Sequence, residues 1–202
     1  MNSRAIALTI VFTAAALSLN AVRIPAIFYP GNSFQVSQIP IVVAFLLFGV
    51  RIGVLVGVLN LAGGLFLFSL GEVGYIVYPM DFVSLLLMFA GMYLASMFIA
   101  HTGGSGKFAI LGKPVIALAL GAIGFRGTIM PFVDYGVVNH ILIPLILGFQ
   151  RPEAAIVGLV PAFVLYNVLV AFYTVSAAYF IAIRVGRDLK IERCFFRASQ
   201  CD

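Results

Sequence analysis

Five stretches of the chain, residues 5 to 22, 24 to 50, 52 to 71, 82 to 100 and 154 to 183, contain no Asp, Glu, Lys or Arg. An ionisable side chain at the centre of a bilayer costs roughly 2.5 to 3.5 kcal/mol on insertion scales, so lipid selects runs of this kind. Several reach the roughly 20 residues that a spanning helix needs. Charged residues are 9% of the 202, against about 25% in a typical soluble domain. Far more apolar side chain is present than a core of this chain length encloses away from water. The reading is an all-α integral membrane protein, a single membrane domain over residues 1 to 202, with no room for an ATPase domain.

Punctuation between the runs sets the count. Pro25, Pro30, Gly31 and Asn32 end the first span, and Gly49, Arg51 and Gly53 separate a short second span from a third. Spans are expected at about 5 to 22, 37 to 49, 52 to 70, 80 to 100, 114 to 147 and 161 to 184, with a tail from 185 to 202. The 114 to 147 segment is interrupted by Arg126, Pro131, Asp134 and Pro144. It reads as one long bent span, or as two half-helices whose polar groups stay inside the protein. Arg4 ahead of an apolar run resembles a signal peptide, but no small-x-small cleavage site precedes Arg23, which favours a first helix.

Basic residues orient the bundle. Six spans place Arg4, Arg51, Lys107, Lys113, Arg184, Arg187, Lys190, Arg193 and Arg197 on one side and Arg23 and Arg151 on the other. Both termini are therefore expected in the cytoplasm, in a multi-pass protein of the cell membrane. This distribution also accounts for the positive net charge without nucleic acid, because the basic residues flank loops instead of gathering on one face. Cys194 and Cys201 fall in the expected cytoplasmic tail, where thiols stay reduced, and with no His nearby they make a poor zinc site.

Catalytic motifs fail on inspection. Gly106-Lys107 has the ending of a phosphate-cradling loop, but His101 stands where its first Gly belongs and Phe108 where its Ser or Thr belongs. Only His101 and His140 supply imidazoles, and no His-Glu-x-x-His or Gly-x-Ser-x-Gly occurs. Neither an enzyme nor a bound metal or cofactor is expected.

The informative residues are the polar groups within apolar spans: Asn20, Asn60, Asp81, Arg126, Asp134, Asn139, His140 and Asn167. Each needs a partner, a water-filled cavity or a ligand. Arg126 and Asp134 lie eight residues apart, about 12 Å along a helix, so a direct pair would need a break near Pro131. An Asn amide both donates and accepts, so Asn139 and Asn167 suit the edge of a heterocycle, or equally the gluing of helices. Phe28, Tyr29, Phe34, Tyr75 and Tyr78 are candidates for stacking on a planar ligand.

The order of these features resembles the substrate-binding S components of energy-coupling factor (ECF) vitamin transporters, most closely the riboflavin-binding branch. The echoes are Ser37-Gln38-Ile39-Pro40, then Gly49-Val50-Arg51-Ile52-Gly53 with Gly57, then Met130, Asn139-His140 and Pro144-Leu145, and finally Pro161 through Tyr166-Asn167. The resemblance implies six spans, both termini inside, and a site beneath the loop joining spans 1 and 2. It implies Asn139, Asn167, Gln35, Gln38, Phe34 and Tyr78 as ligand contacts, the two Gln lying in a gating loop. It also implies a membrane-embedded T component and two ATPase subunits as partners, with Ala14 and Ser18 as the small-x-x-x-small docking face on span 1. Where the branch has a Lys and two acidic residues around the first outer loop, this chain has Ser33, Gln35 and Gln38. Where the branch has a Lys three residues after the last Asn, it has Val170. The alternative reading is a stand-alone proton-coupled permease for a small organic solute, with Asp134, Arg126 and His140 as its relay.

Overall fold

The computed structural model describes residues 3–29, 33–68, 74–101 and 113–188, and among them the chain forms six helical rods and one short hairpin. The Gly106-Lys107 loop, Cys194 and Cys201 lie outside the described residues. Helix α1 is Ser3–Leu19, and two three-residue strands follow, β1 (Arg23–Pro25) and β2 (Ser33–Gln35). They pair antiparallel with Arg23 opposite Gln35 and Ile24 opposite Phe34. Pro25 is tolerated because a two-stranded ribbon is all edge.

Helix α2 (Gln38–Phe48) is 11 residues long, about 16 Å, too short to cross a bilayer alone. It is instead the centre of the bundle. Gln38 and every residue from Pro40 to Leu47 are buried. A helix wrapped on all sides needs apolar residues on all sides, which is why its sequence shows no polar face. Phe45 stacks on Phe89 with ring centroids 4.2 Å apart. Gly49 then reverses the chain at φ +87°, a conformation that a Cβ disfavours, and its N–H donates to the Phe45 carbonyl at 3.0 Å. Helix α3 (Val50–Leu67) runs back beside α2.

Helix α4 is Gly74–His101, and α5 (Lys113–Phe132) packs along it and along the last helix. Glycines let α4 and α5 touch backbone to backbone: a Cβ on Gly91 would lie 2.1 Å from the Gly121 carbonyl oxygen. Pro131 does not interrupt α5. The rod continues through a π-helical stretch, Val133–Leu142, into a closing α-turn, Ile143–Leu147, so one continuous span replaces the alternative of two half-helices.

The last helix, α6, is Glu153–Asp188. It starts eight residues before the expected boundary at Pro161, because Pro152 and Glu153 supply the start: the Pro152 carbonyl accepts from the N–H groups of Ala155 and Ile156. Pro161 is carried inside. At 36 residues, about 54 Å, α6 exceeds the roughly 30 Å of hydrocarbon in a bilayer.

Four of the rods, Val50–Leu67, Gly74–Ile99, Val115–Leu147 and Glu153–Arg187, are long and apolar enough to cross a membrane, while Ala5–Leu19 and Gln38–Phe48 are shorter. Large apolar side chains such as Phe66, Phe132, Leu145 and Phe180 stand outward on the bundle surface. A solvated protein does not sustain such a surface; a bilayer favours it. The architecture is that of an all-α membrane protein.

Candidate functional site

The hairpin lies over a second, smaller core. Phe34 stacks on Tyr166 with centroids 5.5 Å apart and planes at 25°, and Tyr29 meets Phe163 at 5.3 Å and Tyr166 at 5.7 Å. Two tyrosine hydroxyls tether the ribbon to α6: Tyr166 donates to the Ser33 carbonyl at 2.8 Å and Tyr173 to the Gln35 carbonyl at 2.9 Å. A third tether crosses to α4, where the Gln35 amide donates to the Asp81 carboxylate. Phe163, Tyr166, Val170 and Tyr173 recur at helical spacing and so share one face of α6.

Beneath the ribbon the polar residues of the spans are joined to one another. Arg126, 1% exposed, is at the centre. Its Nη1 donates to Gln38 Oε1 at 2.6 Å and its Nε to Asn167 Oδ1 at 3.1 Å. Asn167 in turn donates from Nδ2 to Asp134 Oδ2 at 3.2 Å and to the Phe163 carbonyl at 3.0 Å. The arginine and the aspartate are thus linked by an amide, with no direct pair and no helix break. Both Asn167 and Gln38 must turn their carbonyl oxygens to the guanidinium, which has donors only.

The π-helical stretch extends this chain toward the connection before α6. Over five residues an α-helix leaves side chains about 140° apart. Bonding to the fifth residue back winds less per residue and narrows that angle. Asn139 Nδ2 accordingly reaches the carbonyl of Asp134 at 2.6 Å, while its Oδ1 accepts from Arg151 Nη1 at 3.2 Å. The polar line therefore runs Arg151, Asn139, Asp134, Asn167, Arg126, Gln38. His140 stands apart: its Nε2 is 3.4 Å from Glu153 Oε2, and Tyr135 also donates to Glu153.

Gln38 ends the line at a small cavity among α2, α3, α4 and the hairpin. Gln35, Gln38, Asn60 and Asp81 form its polar wall, with Tyr78 and Phe82 among the apolar residues. The cavity measures about 10 Å³, the room of a single water. Asn60 is oriented from behind by Asn20, whose Nδ2 donates to Asn60 Oδ1 at 3.0 Å. The Nε2 of Gln38 is buried with no hydrogen-bond partner.

Of the expected ligand contacts, Gln35, Gln38 and Tyr78 line this cavity. Asn167 is one step behind, holding Arg126. Phe34 packs into the aromatic core under the ribbon, and both polar ends of Asn139 are engaged within the protein. Tyr75 is 61% exposed and does not line the cavity. Ala14 and Ser18 are exposed on α1, and the Ser18 hydroxyl donates to the Ala14 carbonyl at 2.8 Å, which leaves that face without an unsatisfied donor. Sequence reasoning missed Tyr166 and Tyr173. Their spacing was visible, but periodicity discriminates poorly in a helix apolar on every side. Compared with family models, curated proteins and solved structures, the chain matches none.

Proposed function

We propose that this chain is the substrate-binding S component of an ECF-type importer, taking riboflavin or a related planar vitamin. The observation that carries this reading is the tethered hairpin lying over a small cavity that has one polar wall within an otherwise apolar bundle. A line of amides and charges runs through the bundle and ends beneath the segment that joins the first two helices. The cavity has room for a single water, so release of the Gln35, Tyr166 and Tyr173 tethers is the step that makes space for the solute. Gln35, Gln38 and Tyr78 then meet the ligand directly, Phe34 offers a ring once the ribbon lifts, and Asn167 with Asn139 holds the polar line behind them.

In this reading the hairpin end faces outward in the cell membrane, with both termini in the cytoplasm as the basic residues require. The exposed Ala14 and Ser18 face permits the close backbone approach that docking on a membrane-embedded T component needs, and two partner ATPases supply the work. His140, paired with Glu153 and apart from Arg126 and Asp134, gives a proton relay no support.

Gentle purification followed by an absorption spectrum and mass spectrometry of released small molecules tests the proposal without partners. A yellow protein releasing a flavin supports it, and another vitamin keeps the family while reassigning the ligand. A protein that carries no vitamin and ignores a vitamin panel overturns it.

A further inference from the structure

We infer that the β1–β2 ribbon is seated inside the bilayer, with its exposed apolar residues against lipid acyl chains, so that lipid is the partner that covers it. The inference rests on the membrane architecture and not on the identity of any solute.

Helix lengths set the depth. At the end of the bundle away from the ribbon, Leu47 on α2 packs against Gly186 on α6, where a Cβ would lie 3.3 Å from its Cδ2. Phe12 on α1 meets Phe48 there with ring centroids 5.9 Å apart. The exposed Arg51 and Arg184 stand at this end and mark where the hydrocarbon stops. Counted back along α6 from Arg184, Tyr173 is 11 residues away and Tyr166 is 18, or about 16 and 27 Å. Their hydroxyls hold the Gln35 and Ser33 carbonyls. β2 is therefore tethered from levels short of the roughly 30 Å that hydrocarbon spans, and any tilt of α6 brings those levels deeper. Helix α1 gives the same result, since its apolar run Ala5–Leu19 covers only about 22 Å before β1 begins. On α3 the outward Phe66 is six residues, about 9 Å, beyond Asn60 of the cavity wall, so lipid-facing surface extends past the cavity that the ribbon overlies.

The ribbon's composition suits that depth. Val22, Ile24 and Ile27 are exposed, Ile27 at 95%, whereas Ala26 and Tyr29 enter the small aromatic core. Acyl chains remove such side chains from water, which favours the seated ribbon. Backbone at membrane depth must be met by protein. The two tyrosine hydroxyls take carbonyls of β2, and Pro25 on β1 has no N–H to satisfy.

The chain contains no Trp, so a single introduced indole reports on its own surroundings. Ile27→Trp and Ile24→Trp in nanodiscs are compared with Phe66→Trp as the lipid reference and with Gln150→Trp, on the exposed connection before α6, as the aqueous one. The quenchers are phosphatidylcholine brominated on its acyl chains and aqueous iodide. Brominated lipid should quench both ribbon variants within about twofold of Phe66→Trp, and iodide should quench them several-fold less than Gln150→Trp. Iodide quenching of either ribbon variant to the level of Gln150→Trp, or no quenching of either by brominated lipid, overturns the inference. A Phe66→Trp variant that brominated lipid leaves unquenched overturns the membrane placement and this inference with it. No vitamin enters the measurement, so the vitamin-binding reading and this one fail separately.

Discussion

From its Lys113 end as far as Gly124, α5 is held by shape: glycine backbones of α4 and α5 touch at Gly91 and Gly121, with Ala95 against the same spot. From Arg126 onward the same rod is held by partners, through Gln38, Asn167, Asp134, Asn139 and Arg151. Steric packing fixes a contact without regard to what else is bound. A hydrogen-bonded line with an unmatched end at Gln38 is sensitive to an additional group. The division places the rigid frame in one half of α5 and the responsive chemistry in the other.

The strongest way to break this comparison is Arg126→Leu. It leaves Gln38, Asn167 and Asp134 without their shared cation, and breaking a buried charged network of this kind destabilises by about 3 to 5 kcal/mol. Trp is absent from the chain, so far-UV circular dichroism is the suitable readout of melting in detergent. A wild-type melting curve for this variant would show that the polar half does not hold the bundle. Next in size is Gly121→Ala, whose Cβ would lie 2.4 Å from the Gly91 carbonyl oxygen. Overpacking should lower stability by about 1 to 3 kcal/mol. Gly124→Ala, three residues on, meets nothing within 4 Å and should be neutral or stabilising by about 0.5 to 1 kcal/mol, because it adds a better helix former. Equal effects of the two alanines would remove the steric account.

Asn139→Leu addresses the junction of the two halves' logic. It removes one hydrogen bond within the π-helical stretch, to the Asp134 carbonyl, and one that ties the stretch to Arg151, a loss of about 1 to 3 kcal/mol. If the stretch survives on packing alone, the variant melts as wild type does and Asn139 is free for other work.

How much of this was readable from the chain depends on what the signal had to distinguish. Charge-free runs located the rods, because charge is what lipid excludes. The same runs do not separate a residue facing lipid from one facing the core, since both are apolar: Phe45 is 0% exposed and Phe66 is 88%. The central place of α2 was therefore hidden, although its shortness was visible. The α6 start at Pro152-Glu153 was legible, and the more conspicuous Pro161 obscured it. Proline inside a membrane helix is tolerated when neighbours satisfy the freed groups, so Pro131 bends nothing into two. The polar residues that matter were identifiable one at a time. Their pairing was not, because Gln38, Arg126 and Asn167 are separated by 88 and 41 residues and meet only through the packing of three helices.

The smallest expected effect concerns the hairpin. Tyr166→Phe removes one hydroxyl tether to the Ser33 carbonyl and keeps the ring that stacks on Phe34, a loss of about 0.5 to 1.5 kcal/mol. Global melting should barely move, since the hairpin is outside the main core. The effect should appear as faster hydrogen exchange at the amides of β1 and β2, by up to about tenfold, with the α4 and α5 amides around Gly91 and Gly121 unchanged. Tyr173→Phe should act in the same direction through the Gln35 carbonyl, and the double variant should exceed either. Protection lost equally in the hairpin and around Gly91 and Gly121 would mean that the two regions open as one unit, and the division drawn along α5 would then have no dynamic counterpart.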